Sequence, residues 1–253
     1  MNEGVHDMKM AINELNSLCR SALEGSGWAQ GDYEDAADAA VWLQAMGFDG
    51  MEAINGLLGV ACEEEYVVEP VLGSKEGARD KRTTSCAGLA GCLLAFELAW
   101  ARATQAGAGT VRVSNALSPR LALYGLKAMC ARGRRFDLSW TDGVGRHFAT
   151  TSGHNEYPGY LGFNAHVGAT SSEITVCCRA DGAASKVTLA ADQDLAGAVD
   201  AAELDARYHD ALWRGIEVDA AHVDRLITWK SKVLVPATQA SREHGAGGAD
   251  DGF

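Results

Sequence analysis

The spacing of apolar residues changes along this chain, and that change limits the folds open to it. Over residues 1–61 the apolar side chains recur at helical intervals. From Asn13 to Leu23 the residues Leu15, Leu18, Cys19, Ala22 and Leu23 fall on one helical face, and Asn13 is placed to cap the first turn. A second helix is predicted from Asp32, an N-cap candidate with acids in its first turn, to Met46, with Gly47 supplying a left-handed stop. A third spans Glu52 to Leu58. Beyond residue 62 helices and strands alternate. Cys62 to Arg82 reads as a long loop with one short strand, Tyr66 to Val68. Gly88 to Gln105 is a helix ended by Gly107, and Thr110 to Ser114 alternates as a strand does. Ser118 is expected to cap a helix with Pro119 in its first position, running to Ala131 and stopped by Gly133.

Phe136 to Trp140, Arg146 to Thr150 and Ile174 to Arg179 read as further strands. The last is expected to be buried on both faces, because Val176, Cys177 and Cys178 run on without a polar break. Between them, Gly153 to Ala169 carries Pro158 and glycines at 153, 159, 162 and 168, so an irregular connection is predicted. Asp200 to Trp213 and Asp219 to Lys230 are helices parted by Gly215, each opening on an aspartate at its positive end. The expected organisation is a helical N-terminal module over 1–61, an α/β body with C-terminal helices over 62–244, and a flexible tail over 245–253. A chain of 253 residues with 47% hydrophobic content can bury a large core without a staple.

Charge and cysteine usage narrow the function classes. A net charge of -12 disfavours nucleic acid, which needs clustered cations, and only Arg132, Arg134 and Arg135 lie close together. Cysteines 19, 62, 86, 92, 130, 177 and 178 are odd in number and scattered, and no signal-peptide pattern opens the sequence. They read as small core residues of a cytoplasmic protein. The longest apolar run, Cys86 to Ala101, is broken by Gly88, Gly91 and Glu97, so no membrane span is expected.

The central third resembles the family of malate, L-lactate and ureidoglycolate dehydrogenases, which also includes imino-acid reductases. The shared order is a long Ala-rich helix, then Val111-Arg112-Val113-Ser114-Asn115-Ala116-Leu117-Ser118, the helix after Pro119, the strand at Phe136 and the segment Gly162-Phe163-Asn164. In length and in the tail Val235-Pro236-Ala237-Thr238-Gln239-Ala240-Ser241-Arg242 the chain is also similar to an uncharacterised bacterial family defined as a domain of unknown function. The resemblance implies an α/β fold like that of the malate/L-lactate dehydrogenases. It also implies two histidines that this sequence lacks. Ala116 stands where the family has a histidine after Ser-Asn, and the family's Arg-Gly-x-x-Ser-His-Gly acid segment falls at Met46 to Glu52, with Met51 in place of a donor. Reduction of a carbonyl or imine needs a proton donor within hydrogen-bond reach, and neither side chain can serve. A nicotinamide cofactor stays open, since Ser114 or Asn115 could meet phosphate or ribose, although no Gly-x-Gly-x-x-Gly turn is present.

Several residues carry chemistry in this setting. Thr84, Ser85 and Cys86 precede the long helix, where free amides favour an anion and lower a thiol's pKa; the alternatives are an anion site, a nucleophilic Cys86, or plain capping with Cys86 buried. His147, His154 and His166 match no zinc spacing, so no metal is expected, and His154 is the general-base candidate by location. Arg120 sits at a helix start, against the dipole, and either meets an anionic ligand together with Ser114 and Asn115 or forms a salt bridge. Asn164 joins the ligand candidates through the resemblance, and Arg242 could clamp an anion or a neighbouring subunit.

Three functions remain in view: binding of a small anionic metabolite or non-redox catalysis, an NAD(P)-dependent oxidoreductase on keto, imino or hydroxy acids with a rebuilt acid, and a hydrolase or lyase built on Cys86 or Ser85. A homodimer, or a partner subunit that completes the site, is compatible with each.

Overall fold

The computed structural model describes residues 7–60, 67–71, 88–114, 116–142, 145–151, 155–164, 173–179 and 195–233. Its helical layer begins with α1 (Ile12–Gly25), which buries Leu15, Leu18, Cys19, Ala22 and Leu23, the face that the spacing predicts. α2 (Gln30–Ala45) is buried almost all round from Ala36 to Leu43 and lies at the centre of the layer. Neither helix uses the predicted cap. Ala11 and Ala29 hold the N-cap positions without a side-chain bond, so Asn13 and Asp32 lie inside their first turns. Gly47 takes its left-handed conformation (φ 76°) after α2. The third helix, α3 (Gly50–Asn55), starts two residues before the predicted Glu52 and is shorter. Its first residue explains the start: a Cβ on Gly50 would lie 1.9 Å from Ala40 O and 2.6 Å from Gln44 N, so only glycine lets α3 rest on the α2 backbone.

The C-terminal helices belong to the same layer. α6 (Ala201–Arg214) and α7 (Ala220–Lys230) are capped by Asp200, which accepts from Glu203 N, and Asp219, which accepts from Ala221 N. α7 packs on α1 so closely that a Cβ on Gly25 would come 2.0 Å from Trp229 O. Between α6 and α7 a strand that periodicity misses, β9 (Ile216–Asp219), pairs antiparallel with β1 (Asp7–Met10). This pair joins the segment before α1 to the segment between α6 and α7 within one layer.

The second layer is a seven-stranded sheet in the order β2-β3-β7-β4-β5-β6-β8, with every pair antiparallel. Its strands are β2 (Val67–Val71), β3 (Ala108–Ser114), β4 (Arg135–Thr141), β5 (Gly145–Thr150), β6 (Gly159–Asn164), β7 (Ile174–Arg179) and β8 (Leu195–Val199). α4 (Gly88–Ala106) lies against β3 and β7, where a Cβ on Gly109 would sit 2.2 Å from Ala99 O. α5 (Ala122–Met129) lies between α4 and β4. The rings of Phe96 and Phe136 meet edge to face with centroids 6.0 Å apart. Residues of both layers share one apolar core.

Three expectations need correction here. The stretch 153–169 is not irregular throughout, because it holds β6, and Gly162-Phe163-Asn164 closes that strand. β7 buries Ile174, Val176 and Cys178 while Thr175, Cys177 and Arg179 stay partly exposed, so it is covered on one face and not two. Ser118 adopts a left-handed conformation (φ 45°) and caps nothing; a short 3-10 turn over Pro119–Leu121 leads into α5, and the Ser118 hydroxyl donates to Ala53 O at 2.8 Å. Among the described residues, no helix is long and apolar enough to cross a membrane.

Candidate functional site

Strand register gathers the polar chemistry at one end of the sheet. Val113, Ile174, Trp140, His147 and Gly162 form a row across β3, β7, β4, β5 and β6. Beyond that row, β3 ends at Ser114, β4 turns at Asp142 into β5, and β6 ends at Asn164, the partner of Gly145. Ser114 and Asn164 therefore share a rim. They lie four strand spacings apart, roughly 19 Å at about 4.8 Å each, so one small molecule does not touch both.

The middle of the rim is a connected polar cluster. Trp140 and His147 face each other across β4 and β5 with rings stacked 4.7 Å apart at 14°. Tyr160 lies along β6 over Gly162, where a Cβ would stand 2.8 Å from the phenol oxygen. That clearance lets the Tyr160 hydroxyl reach His147 Nδ1 at 2.7 Å, while Nε2 of the same ring meets Asp142 Oδ1 at 2.9 Å. Asp142 Oδ1 also accepts from Gly145 N at 3.1 Å, and its Oδ2 faces Arg120 Nη2 at 3.6 Å. Arg120 Nη1 donates to Phe48 O at 3.2 Å and Asp49 Oδ2 at 3.0 Å. The Phe48 ring meets Tyr160 edge-on at 4.8 Å. The Pro119–Leu121 turn, the β4–β5 turn, β6 and the α2–α3 connection are thereby tied together.

Burial sets the protonation of Tyr160 in this cluster. Desolvation pushes the Tyr160 phenol above its ordinary pKa, the Arg120 guanidinium opposes this, and Asp142 and Asp49 add to it. Tyr160 is thus a neutral hydroxyl at physiological pH. The arrangement that satisfies every group has the phenol donating to Nδ1 and the Nε2 hydrogen donating to Asp142. A hydroxyl backed by an imidazole and a carboxylate can release a proton and be refilled, and it can equally serve as a cross-link between layers.

Of the residues singled out from sequence, Ser114 ends β3 half-buried, Arg120 joins the polar cluster and Asn164 ends β6. His154, Cys86, Thr84, Ser85, Asn115 and Arg242 lie outside the described residues. Asp142 and Tyr160 were missed, and Gly162 was noted only as a loop glycine and as part of the Gly162-Phe163-Asn164 segment. The alternation of Tyr160 with Gly162 was a usable signal, but it means something only once β6 is set beside His147. Met51 and Ala116 are 1% and 3% exposed, apolar and packed into the core. Beside Met51 and Asp49 a cleft of about 440 Å³ opens, walled by Asp7, Glu52, Glu217 and Asp219. No group of three or more metal-ligating side chains is found among the described residues. Burial pushes the thiols of Cys19, Cys92 and Cys130 up to about 12 and that of Cys178 to about 11, so these four are inert core residues at neutral pH.

Two layers of this kind, helices against an antiparallel seven-stranded sheet, form an α/β fold that solved dehydrogenases share. Malate dehydrogenase from Pyrococcus horikoshii OT3 superposes with a TM-score of 0.59 at 12% identity, covering 92% of this chain and 97% of that one. Malate dehydrogenase from Entamoeba histolytica gives 0.59 at 8% identity, over 92% and 99%. Sulfolactate dehydrogenase from Methanocaldococcus jannaschii gives 0.58 at 11% identity, over 89% and 97%. Likeness at such identities shows the fold alone. By sequence, residues 10–84 match the family model described as "Protein of unknown function (DUF3726)", so that match falls on the N-terminal helices and not on the tail at 235–242. No curated protein matches the chain.

Proposed function

We propose that this chain binds a small anionic metabolite at the strand-end rim, with Arg120 as its cationic contact, and transfers no hydride. The observation that carries the reading is the pair Met51 and Ala116, buried at 1% and 3% exposure. The resemblance puts proton-donating histidines at these two positions. A methionine and an alanine packed in the core have no proton to give, and a reduced carbonyl or imine cannot be completed without one. Arg120 supports the binding half, because its fork lies at the rim only 17% exposed, where water weakens charge pairing less than on open surface.

A second reading keeps the redox chemistry and is favoured by one observation. The Tyr160 hydroxyl, backed by His147 and Asp142, is a proton donor that could replace the missing acid, and bound NAD(P) would supply the hydride. One experiment separates the two. Purified chain is mixed with NADH or NADPH and a panel of keto and imino acids, and absorbance at the nicotinamide band is followed. The expected result is no steady oxidation. Sustained turnover that Tyr160→Phe abolishes would install the second reading.

A further inference from the structure

We propose that α6 is a self-association face: two copies of this chain pair antiparallel along it, each seating Trp213 against α6 of the other. The proposal goes beyond the reading of the rim and does not depend on it.

Trp213 is the most exposed large apolar side chain among the described residues, at 87%. It stands in the last turn of α6 beside Arg214. Covering an indole removes up to about 250 Å² from water, and tryptophan is over-represented among residues that anchor interfaces. A single exposed apolar residue names no occupant. The charges beside it do. Glu203, Arg207, Asp210 and Arg214 follow one another at helical intervals and share one face of α6. Their signs alternate, and all of them wall a cleft of about 650 Å³ between α6, the end of α2 and β9.

That order is its own complement when reversed. With the helices antiparallel about a two-fold axis between residues 208 and 209, Glu203 faces Arg214 of the second copy and Arg207 faces Asp210. No like charges meet. A wholly acidic or wholly basic partner would be matched by half of this row and repelled by the other half. The same register sets Trp213 level with residue 204 of the second copy, where Ala202 and Ala206 are exposed and small and Ala206 opens on the cleft. One operation therefore covers both tryptophans. Within one copy Arg207 pairs with Glu203 and Arg214 with Asp210. A carboxylate accepts from more than one cation, so these pairs persist while those across the axis form. α6 has 14 residues, a short face, so dissociation in the micromolar range is expected.

The test is sedimentation velocity on the full chain, from about 1 to about 200 µM in about 150 mM salt, with wild type, Trp213→Ala, Glu203→Arg and Arg214→Glu. Wild type is expected to pass from monomer to dimer across that range, and Trp213→Ala to need at least about 30-fold more protein. Glu203→Arg and Arg214→Glu each set like charges against one another across the axis, so each alone should stay monomeric. Mixed in equal amounts they should form a heterodimer, because every reversed charge then meets its opposite. All three replaced side chains are exposed, so the fold is retained. A wild type that stays monomeric throughout overturns the proposal. So does a dimer that Trp213→Ala leaves unchanged, or a pair of charge variants that mixing does not rescue.

Discussion

The α2–α3 corner and the strand-end rim meet at Phe48 and Asp49, yet they are held by different forces. In the corner, Gly50 lies on the α2 backbone, and Met46, Met51 and Ile54 are at most 1% exposed; contact distance between backbones fixes the geometry. In the rim, hydrogen bonds from Tyr160 through His147 to Asp142, continued by the ion pair of Asp142 with Arg120, fix the orientation of each side chain. Apolar packing rewards closeness and is indifferent to direction, whereas each bond in the rim contributes about 1 kcal/mol and demands direction. The connection from Met46 to Gly50 therefore faces two ways. One side sets how far α3 stands from α2, and the other sets where Asp49 points.

The corner breaks most sharply at Gly50. Alanine is favoured over glycine within a helix by about 1 kcal/mol, so Gly50→Ala would stabilise α3 if space allowed. Space does not allow it, because the new Cβ would lie 1.9 Å from Ala40 O and 2.6 Å from Gln44 N, both backbone atoms. A net loss of about 3 kcal/mol or more is expected, measured by urea unfolding with an unchanged m-value. A loss below about 1 kcal/mol would show that the corner yields, and the contrast with the rim would fall.

What could be read beforehand follows the same division. Several helices announce themselves within one chain segment, α1 by its apolar period and α2 and α4 by apolar composition with a closing left-handed glycine. The caps Asp200 and Asp219 are local too, each bonding an amide two or three residues on. β6 was hidden because its glycines resemble loop punctuation. At Gly162 the missing side chain instead clears room for a phenol from two residues earlier. β1 and β9, four residues each, pair across most of the chain and leave no periodic trace. The candidate site was less legible still. Arg120 stood out through its conflict with a helix dipole, but His147, Asp142 and Tyr160 come from two strands and a turn, and only register makes them neighbours. Cross-strand proximity is a property of the sheet and not of any stretch within it.

The rim is sharpened by a double-mutant cycle at Gly162 and Tyr160. Gly162→Ala pushes the phenol off its His147 bond and should cost about 1–2 kcal/mol. Tyr160→Phe removes the same bond directly and should cost about 1 kcal/mol. If the glycine exists to admit the phenol, the double variant costs less than the sum, with a coupling of at least about 0.5 kcal/mol by denaturant unfolding. Strict additivity would mean that Gly162 serves the backbone alone and that the rim is not specified by its hydrogen bonds.

The smallest effect has the opposite sign from the loss of a rim carboxylate, and it lies on the outer face of α2. Burial first, then the carboxylates of Asp38, Asp32 and Glu34, push the Asp35 carboxyl above its ordinary pKa. The folded chain therefore binds this proton more tightly than the unfolded chain does. Stability from Asp35 is fully present below the unfolded value, declines as pH rises towards the raised folded value, and is constant above it. Asp35→Asn removes the charge that α2 disfavours, so it should stabilise the chain at neutral pH by a few tenths of a kcal/mol, given the exposure of the side chain. The gain should shrink as pH falls into the carboxylate range and narrow in high salt, where like charges are screened. Thermal midpoints of both proteins between pH 3 and pH 7 read this out, and a gain that grows towards acid would reverse the assignment. With the expected sign, the Asp35 position on α2 is one where a negative charge weakens the fold, while at the rim the carboxylate of Asp142 is what Arg120 and His147 are held by.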